Sequence, residues 1–193
     1  MMPARVALAL QDDGWYLRDE IVWHKPRPTP FPANDRTVCA HEMIYLLTKK
    51  PHYYFDWAAI EEPSAYPGLV RRAGKAFRDL AEVDPVAARK RPGARDHVVR
   101  ETRRKRSVWS VSTTPYKDGH FATMPPEIAK TCILAGSRPG DTILDPFYGA
   151  GTTGLVADRL GRHCIGIELL AEHNERSSRR LVKDAGMFAE IVA

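Results

Sequence analysis

The 193-residue chain contains no run of about 18 apolar residues, so nothing in it reads as a membrane-crossing helix. The opening residues have too short an apolar stretch for a secretory leader, and Asp12 and Asp13 stand where a cleavage site would be needed. Cysteine is scarce. Cys39, Cys132 and Cys164 are odd in number and lack CxxC spacing, which speaks against a disulfide framework and a zinc ribbon alike. His24, His41 and Cys39 have no fourth ligand at useful spacing, so no metal site is expected. No internal repeat is visible. These absences leave a soluble, cytoplasmic protein as the expectation. With 44% apolar and 27% charged residues, the chain has a core for one domain of ordinary size and is not disordered as a whole.

Charge of one sign is also scarce outside a single stretch. The net charge is +5, yet residues 71–106 hold thirteen Lys or Arg against five Asp or Glu, a net +8 that leaves −3 for the rest. A polyanion is the natural partner of such a block, because each phosphate contact releases condensed counterions. A solvated charge run gives the same pattern.

Three textures follow one another. Residues 1–60 are dense in apolar and aromatic groups, 61–106 are rich in Arg, Pro and Ala with little periodicity, and 107–193 are again globular. Helical spacing over 4–10 is closed by Gly14, and 16–23 alternates as a strand does. Four prolines within 24–32 force a stiff, extended loop. Residues 43–48 read as a buried strand and 53–55 as a short extended piece. Further on, strands are expected over 107–112, 141–144 and 163–167, and helices over 126–135, 152–160 and 171–185, the last two ended by Gly161 and Gly186. Strand, glycine loop, helix, strand, helix opens a doubly wound α/β sheet. Trp15, Trp23, Trp57 and Trp109 are expected as core anchors.

The most informative stretch is Asp145-Pro146-Phe147-Tyr148-Gly149-Ala150-Gly151-Thr152-Thr153-Gly154. A buried strand ends in an acid, a glycine turn lets the backbone approach a ligand, and a helix starts at threonines able to cap it. A second acid, Glu168, closes the next strand about twenty residues on, where an acceptor for ribose hydroxyls belongs. The loop lacks the Lys of a phosphate-binding P-loop and is read as distinct from the dinucleotide fingerprint.

This stretch resembles the cofactor loop, DPFxGxGTT, of S-adenosylmethionine-dependent amino-group DNA methyltransferases. His120-Phe121-Ala122-Thr123-Met124-Pro125 is similar to the family's HFATFP segment. Trp23-His24-Lys25-Pro26, Arg36, His41-Glu42 and Tyr53-Tyr54-Phe55-Asp56 resemble its WxKPNPxP, DRPT, HEYIFLL and YYYD run. The order of these elements is that of the β class. The resemblance implies a Rossmann-like methyltransferase fold in one domain: 1–60 as the remainder of a catalytic half, 61–106 as a basic target-recognition insert, and 107–193 as the cofactor half. It implies S-adenosylmethionine as cofactor, lined by Phe121, Ala122, Thr123, Pro125, Asp145, Phe147, Gly149, Gly151 and Thr152, with Glu168 on the ribose. The partner it implies is double-stranded DNA, methylated at N4 of cytosine or N6 of adenine with a slight lean to cytosine, in a restriction-modification or phage setting. Lys25, Arg27, Arg36, Arg89, Lys90, Arg91, Arg103, Arg104, Lys105 and Arg106 are the candidate DNA contacts.

The family's catalytic motif, [S/N/D]PP[Y/F], is expected upstream of Met1, carried by this protein's own missing segment or by a separate polypeptide. Two internal look-alikes are set aside. Asp145-Pro146-Phe147-Tyr148 runs into the glycine loop, and Thr113-Thr114-Pro115-Tyr116 has a single proline. The motif supplies the group that accepts a hydrogen bond from the target amine and the ring on which the flipped base stacks. Without it the chain is expected to be inactive alone, and the alternative reading is a non-catalytic DNA- or cofactor-binding remnant or one half of a split methyltransferase.

Overall fold

A computed structural model of the chain describes residues 2–28, 30, 32, 34–71, 97–113 and 124–185. In chain order its first elements are α1 (Met2–Asp12), β1 (Tyr16–His24), β2 (His41–Thr48), β3 (Glu62–Pro63), β4 (Val70–Arg71), β5 (His97–Val98) and β6 (Thr102–Arg103). There follow β7 (Val108–Ser110), α2 (Pro126–Gly136), β8 (Thr142–Asp145), α3 (Thr152–Arg159), β9 (His163–Gly166) and α4 (Ala171–Ala185). The chain divides into two compact units, Met1–Ala59 with Arg106–Ala193, and Ile60–Lys105. No described helix is long and apolar enough to cross a membrane.

In the larger unit α1 stops at Gly14, which takes φ +89° while the N–H groups of Gly14 and Trp15 bond back to the carbonyls of Gln11 and Leu10. Strand β1 then buries Ile21 and Trp23 at alternate positions. It is the middle strand of a three-stranded sheet, β2-β1-β7, antiparallel to β2 and parallel to β7. Because β2 lies at an edge of that sheet, most of its residues are half-buried, where the sequence suggested full burial. Strand β7 is shorter than expected, and 53–55 pairs with no strand among the described residues. There Arg18 stacks over Tyr53 at 5.3 Å and Arg138 over Tyr54 at 4.2 Å, so cations rather than a ladder hold the aromatic run.

Helix α2 ties this sheet to the second one. Pro125, extended, precedes it and Pro126 opens it, a position where the missing N–H costs nothing. Its Ile128 packs with Ile21, Trp23 and Trp109, while Ala129 and Ile133 pack with Val156 and Ala157 of α3. Below α3, strands β8 and β9 run parallel in register from Thr142–His163 to Asp145–Gly166. Ile143 and Cys164 face the helices; the cross-strand pair Leu144 and Ile165 faces away, 60% and 56% exposed. Arg162 fastens the lower ends together, donating to Ser137 O at 2.9 Å and Leu160 O at 2.5 Å. Of the four tryptophans, Trp23 and Trp109 are buried, whereas Trp57 lies exposed on the surface and is no core anchor.

The described residues of the smaller unit pair as irregular antiparallel strands that the sequence's weak periodicity did not announce. Glu62 pairs with Arg103 and Pro63 with Thr102 in one ladder, Val70 with Val98 and Arg71 with His97 in the next. Between them Ser64 N–H reaches Glu101 O, and Gly68 N–H reaches Val99 O.

Candidate functional site

The carboxyl ends of β8 and β9 carry the acids and the glycine turn together. Asp145 ends β8 with both carboxylate oxygens engaged: Oδ1 accepts the Phe147 N–H at 3.0 Å and Oδ2 accepts the Thr153 hydroxyl at 2.6 Å. It braces the turn from inside. The chain then enters α3 through Gly151, at φ +70° and ψ 24°, with Gly149 also left-handed at φ +49°. Here glycine is required by conformation. Thr152 and Thr153, expected as caps, make no capping bond. The left-handed Gly151 turns the chain before they are reached, so they already lie in the helix and their hydroxyls meet Arg180 and Asp145 instead.

Glu168, just beyond β9, reaches back to this turn. Its Oε2 accepts the Gly149 N–H at 2.8 Å, its Oε1 accepts the Leu170 N–H at 3.0 Å, and His173 Nδ1 lies 3.5 Å from Oε1. The Leu170 and Gly149 N–H groups, in that order, and then His173 hold the carboxyl below its ordinary range. A carboxylate offers about four acceptor directions, of which the two backbone donors occupy half and His173 approaches a third. The open side suits hydroxyl donors. Beside it Phe147 and Leu169 are 89% and 95% exposed, apolar surface at the exits of the two strands.

Helix α4 clamps the turn from the other side. Arg180 donates to Ala150 O at 2.8 Å and to Thr152 Oγ at 3.1 Å, and Ser177, 2% exposed, packs against Gly151. Tyr148 fills the space under the loop, and burial, with Cys164 and Asp145 nearby, pushes its hydroxyl up to about 12.

Asp145, Phe147, Gly149, Gly151, Thr152 and Glu168 therefore belong to one turn system, as the sequence suggested. Pro125 is buried at the head of α2. Phe121, Ala122 and Thr123, and Arg89, Lys90 and Arg91, lie outside the described residues. The other basic candidates are divided between the two units. Lys25 is ion-paired with Glu42 and sits 4.7 Å over the Trp23 ring, Arg27 is exposed, and Arg36 stands 3.4 Å from Asp35. Arg103 is held by Glu62 at 2.9 Å, Arg104 and Arg106 are exposed, and Lys105 is half-buried. Arg180, Ser177, Tyr148 and His173 were not anticipated, nor was the bond from Thr153 to Asp145. Ser177 and Arg180, three apart on α4, share a face, but nothing in the sequence says that this face meets the loop. Gly149, Gly151 and Gly154 have the GxGxxG spacing of the dinucleotide fingerprint, so in spacing the loop is not distinct from it, contrary to the reading above. Among the described residues no three His, Cys, Asp or Glu side chains are grouped to hold a metal ion.

Comparison with known proteins places this geometry. The profile of the N6/N4 methyltransferase family, described as DNA methylase, matches residues 1–179. The type II methyltransferase M.SmaI of Serratia marcescens is 39% identical over 182 residues, 94% of this chain and 52% of its own length. M.XycI of Xanthomonas campestris pv. cyanopsidis is 39% identical over 180 residues, 93% of this chain and 49% of its own. The chain thus spans about half the length of these relatives. Among solved structures, the PvuII DNA methyltransferase (cytosine-N4-specific) superposes with a TM-score of 0.65 at 18% identity, covering 99% of this chain and 58% of that one. The M1.HpyAVI–SAM complex does so with a TM-score of 0.56 at 22% identity, covering 92% and 69%. The fold is that of the Rossmann-like methyltransferases, α/β with the glycine turn at the carboxyl end of a parallel strand.

Proposed function

Because the chain belongs to the N6/N4 DNA methylase family, we propose that it is the cofactor-holding part of a DNA methyltransferase of the type II restriction-modification kind. It binds S-adenosylmethionine at the turn after β8, and its acceptor is the exocyclic amine of cytosine or adenine in double-stranded DNA. N4 of cytosine is favoured by the likeness to the PvuII enzyme over 99% of the chain. One observation carries the cofactor reading: Glu168 is pinned by the Gly149 and Leu170 N–H groups with acceptor directions left over, beside the exposed Phe147. A ribose diol fits those directions and an adenine ring fits that surface.

When bound, the cofactor supplies a methyl group on a positively charged sulfur. The chain's own task is orientation. Asp145, Thr153 and Arg180 hold the loop, Glu168 receives the ribose, and a reaction that passes a methyl group in line to a nitrogen gains most from such positioning. The basic stretch 71–106 is proposed to hold DNA phosphates and to speed encounter.

A second reading concerns the acceptor side. No [S/N/D]PP[Y/F] run occurs in the 193 residues, and the nearest look-alike, at Asp145, has both its oxygens engaged in the turn. We infer that transfer needs a polypeptide bearing that motif. The outward face of β8 and β9, with Leu144 and Ile165 exposed, supports a covering partner.

Calorimetry with S-adenosylhomocysteine tests the cofactor reading. Glu168→Ala is expected to weaken binding roughly 30- to 150-fold, a loss of about 2 to 3 kcal/mol for the ribose contacts together. Equal affinity of the two proteins would refute it. Tritiated methyl incorporation into mixed-sequence DNA tests the acceptor reading: none by the chain alone, and recovery when an SPPY-bearing fragment is added. Robust incorporation by the chain alone would reject it.

A further inference from the structure

Gly154 and Gly166 are absent from the positions with left-handed backbone, so conformation does not explain why they are glycine. Space does. A Cβ on Gly166, the last residue of β9, would lie 2.5 Å from Tyr148 Cδ2 and closer still to Cγ. A Cβ on Gly154, in the first turn of α3, would fall 2.8 Å from Tyr148 Cζ and inside the radius of its hydroxyl oxygen. On Gly151 it would meet Cε1 at 3.3 Å. The base of the ring therefore rests on the backbone of β9 and its far end on the backbone of α3. The main chain of Tyr148 is fixed as well, its N–H donating to Ile167 O and its carbonyl accepting from Gly151 N–H, both at 2.9 Å.

The geometry points to Tyr148 as a positioning residue: its ring is the wedge that sets the height of the glycine turn over β9, and so the reach between Gly149 N–H and Glu168. Gly149 follows Tyr148 directly in the chain, and Glu168 follows Ile167, to which Tyr148 is tied. A shift of the ring moves the donor and the acceptor relative to each other. Gly154 and Gly166 are then partners of this one ring, small because it is large. The inference rests on the cofactor reading for its readout, though the wedge itself is read from packing.

Two features of the wedge give it a signature. The clash at Gly166 is with the root of the side chain, so only removal of the ring down to Cβ relieves it. The clash at Gly154 is with the far end, Cζ and the hydroxyl, so a side chain that lacks those atoms, such as leucine, relieves it.

The experiment measures S-adenosylhomocysteine affinity by calorimetry, with thermal unfolding alongside, in the full chain. Tyr148→Phe is expected to bind within about twofold of the parent, and Tyr148→Ala on the order of tenfold more weakly at temperatures where it is fully folded. Gly166→Ala is expected to weaken binding in the parent and to add nothing in the Tyr148→Ala background. Gly154→Ala is expected to be suppressed by Tyr148→Leu, and Gly166→Ala is not. If Gly166→Ala or Gly154→Ala fails to fold alone, the same pattern is read from which second substitution restores a cooperative melt. A lower Tm for Tyr148→Ala with unchanged affinity would make the ring merely structural and overturn the inference, as would glycine effects of equal size in every background. Failure of the parent itself to bind would sink the cofactor reading and the positioning role with it, whereas a parent that binds while the suppression pattern is missing sinks the wedge alone.

Discussion

Replacing Arg180 by Met removes the clamp of α4 on the glycine turn while keeping most of the side chain's apolar stem. The guanidinium donates hydrogen bonds to Ala150 O at 2.8 Å and Thr152 Oγ at 3.1 Å. Bonds from a charged donor contribute about 1.5 to 3 kcal/mol each at most. The longer one is the weaker, and water can rejoin a half-buried carbonyl once the arginine is gone. A loss of about 2 to 3 kcal/mol follows, which in a chain of this size corresponds to a fall in Tm of roughly 4 to 12 °C. Circular dichroism at 222 nm measures it. Because the two acceptors flank Gly151, the loss is expected to reach the ligand site, so S-adenosylhomocysteine should bind more weakly to Arg180→Met even at 15 °C, where the protein is folded. Arg180→Lys, with one compact ammonium in place of a fork, should recover part of the Tm. A change in Tm under 1 °C together with unchanged affinity would show that α4 leans on the loop without holding it.

Two further outcomes can be checked. The carboxyls of Glu168 and Asp184 are both held below their ordinary range, the first chiefly by the Leu170 N–H and the second by Arg159 through a 2.7 Å bond. The folded protein thus holds fewer protons than the unfolded one as these groups titrate, and their stabilisation, full above the unfolded values, is lost as pH falls through the folded ones. Tm should drop between about pH 5 and 3, and Arg159→Gln should make that drop shallower; an identical profile for the two proteins would remove Asp184 from the account. For the basic stretch, changing six of its thirteen Lys and Arg to Gln should flatten the plot of log DNA affinity against log salt, whose slope is about −0.9 per phosphate neutralised. An unchanged slope would return residues 71–106 to the status of a solvated run.

What the sequence determined by itself is local. The glycine that stops α1, the proline that opens α2 and the strand–turn–helix order after Thr142 each depend on the backbone freedom of a few neighbouring residues, and all appear where they were read. The acids Asp145 and Glu168 were legible as well, because a strand's end fixes which side of the turn its last side chain reaches. What only tertiary structure decided is who holds those residues. Thr153 reads as a helix cap until the left-handed Gly151 carries it to Asp145, and Arg180 reads as one more surface cation on α4 until the helix packs with Ser177 against the turn. Lys25 reads as a free cation until strand pairing sets Glu42 opposite Trp23, two residues before Lys25. Gly154 and Gly166 are twelve residues apart and show no common purpose in the sequence. The Tyr148 ring gives them one, because a side chain can exclude atoms on two elements at once only after those elements have come together.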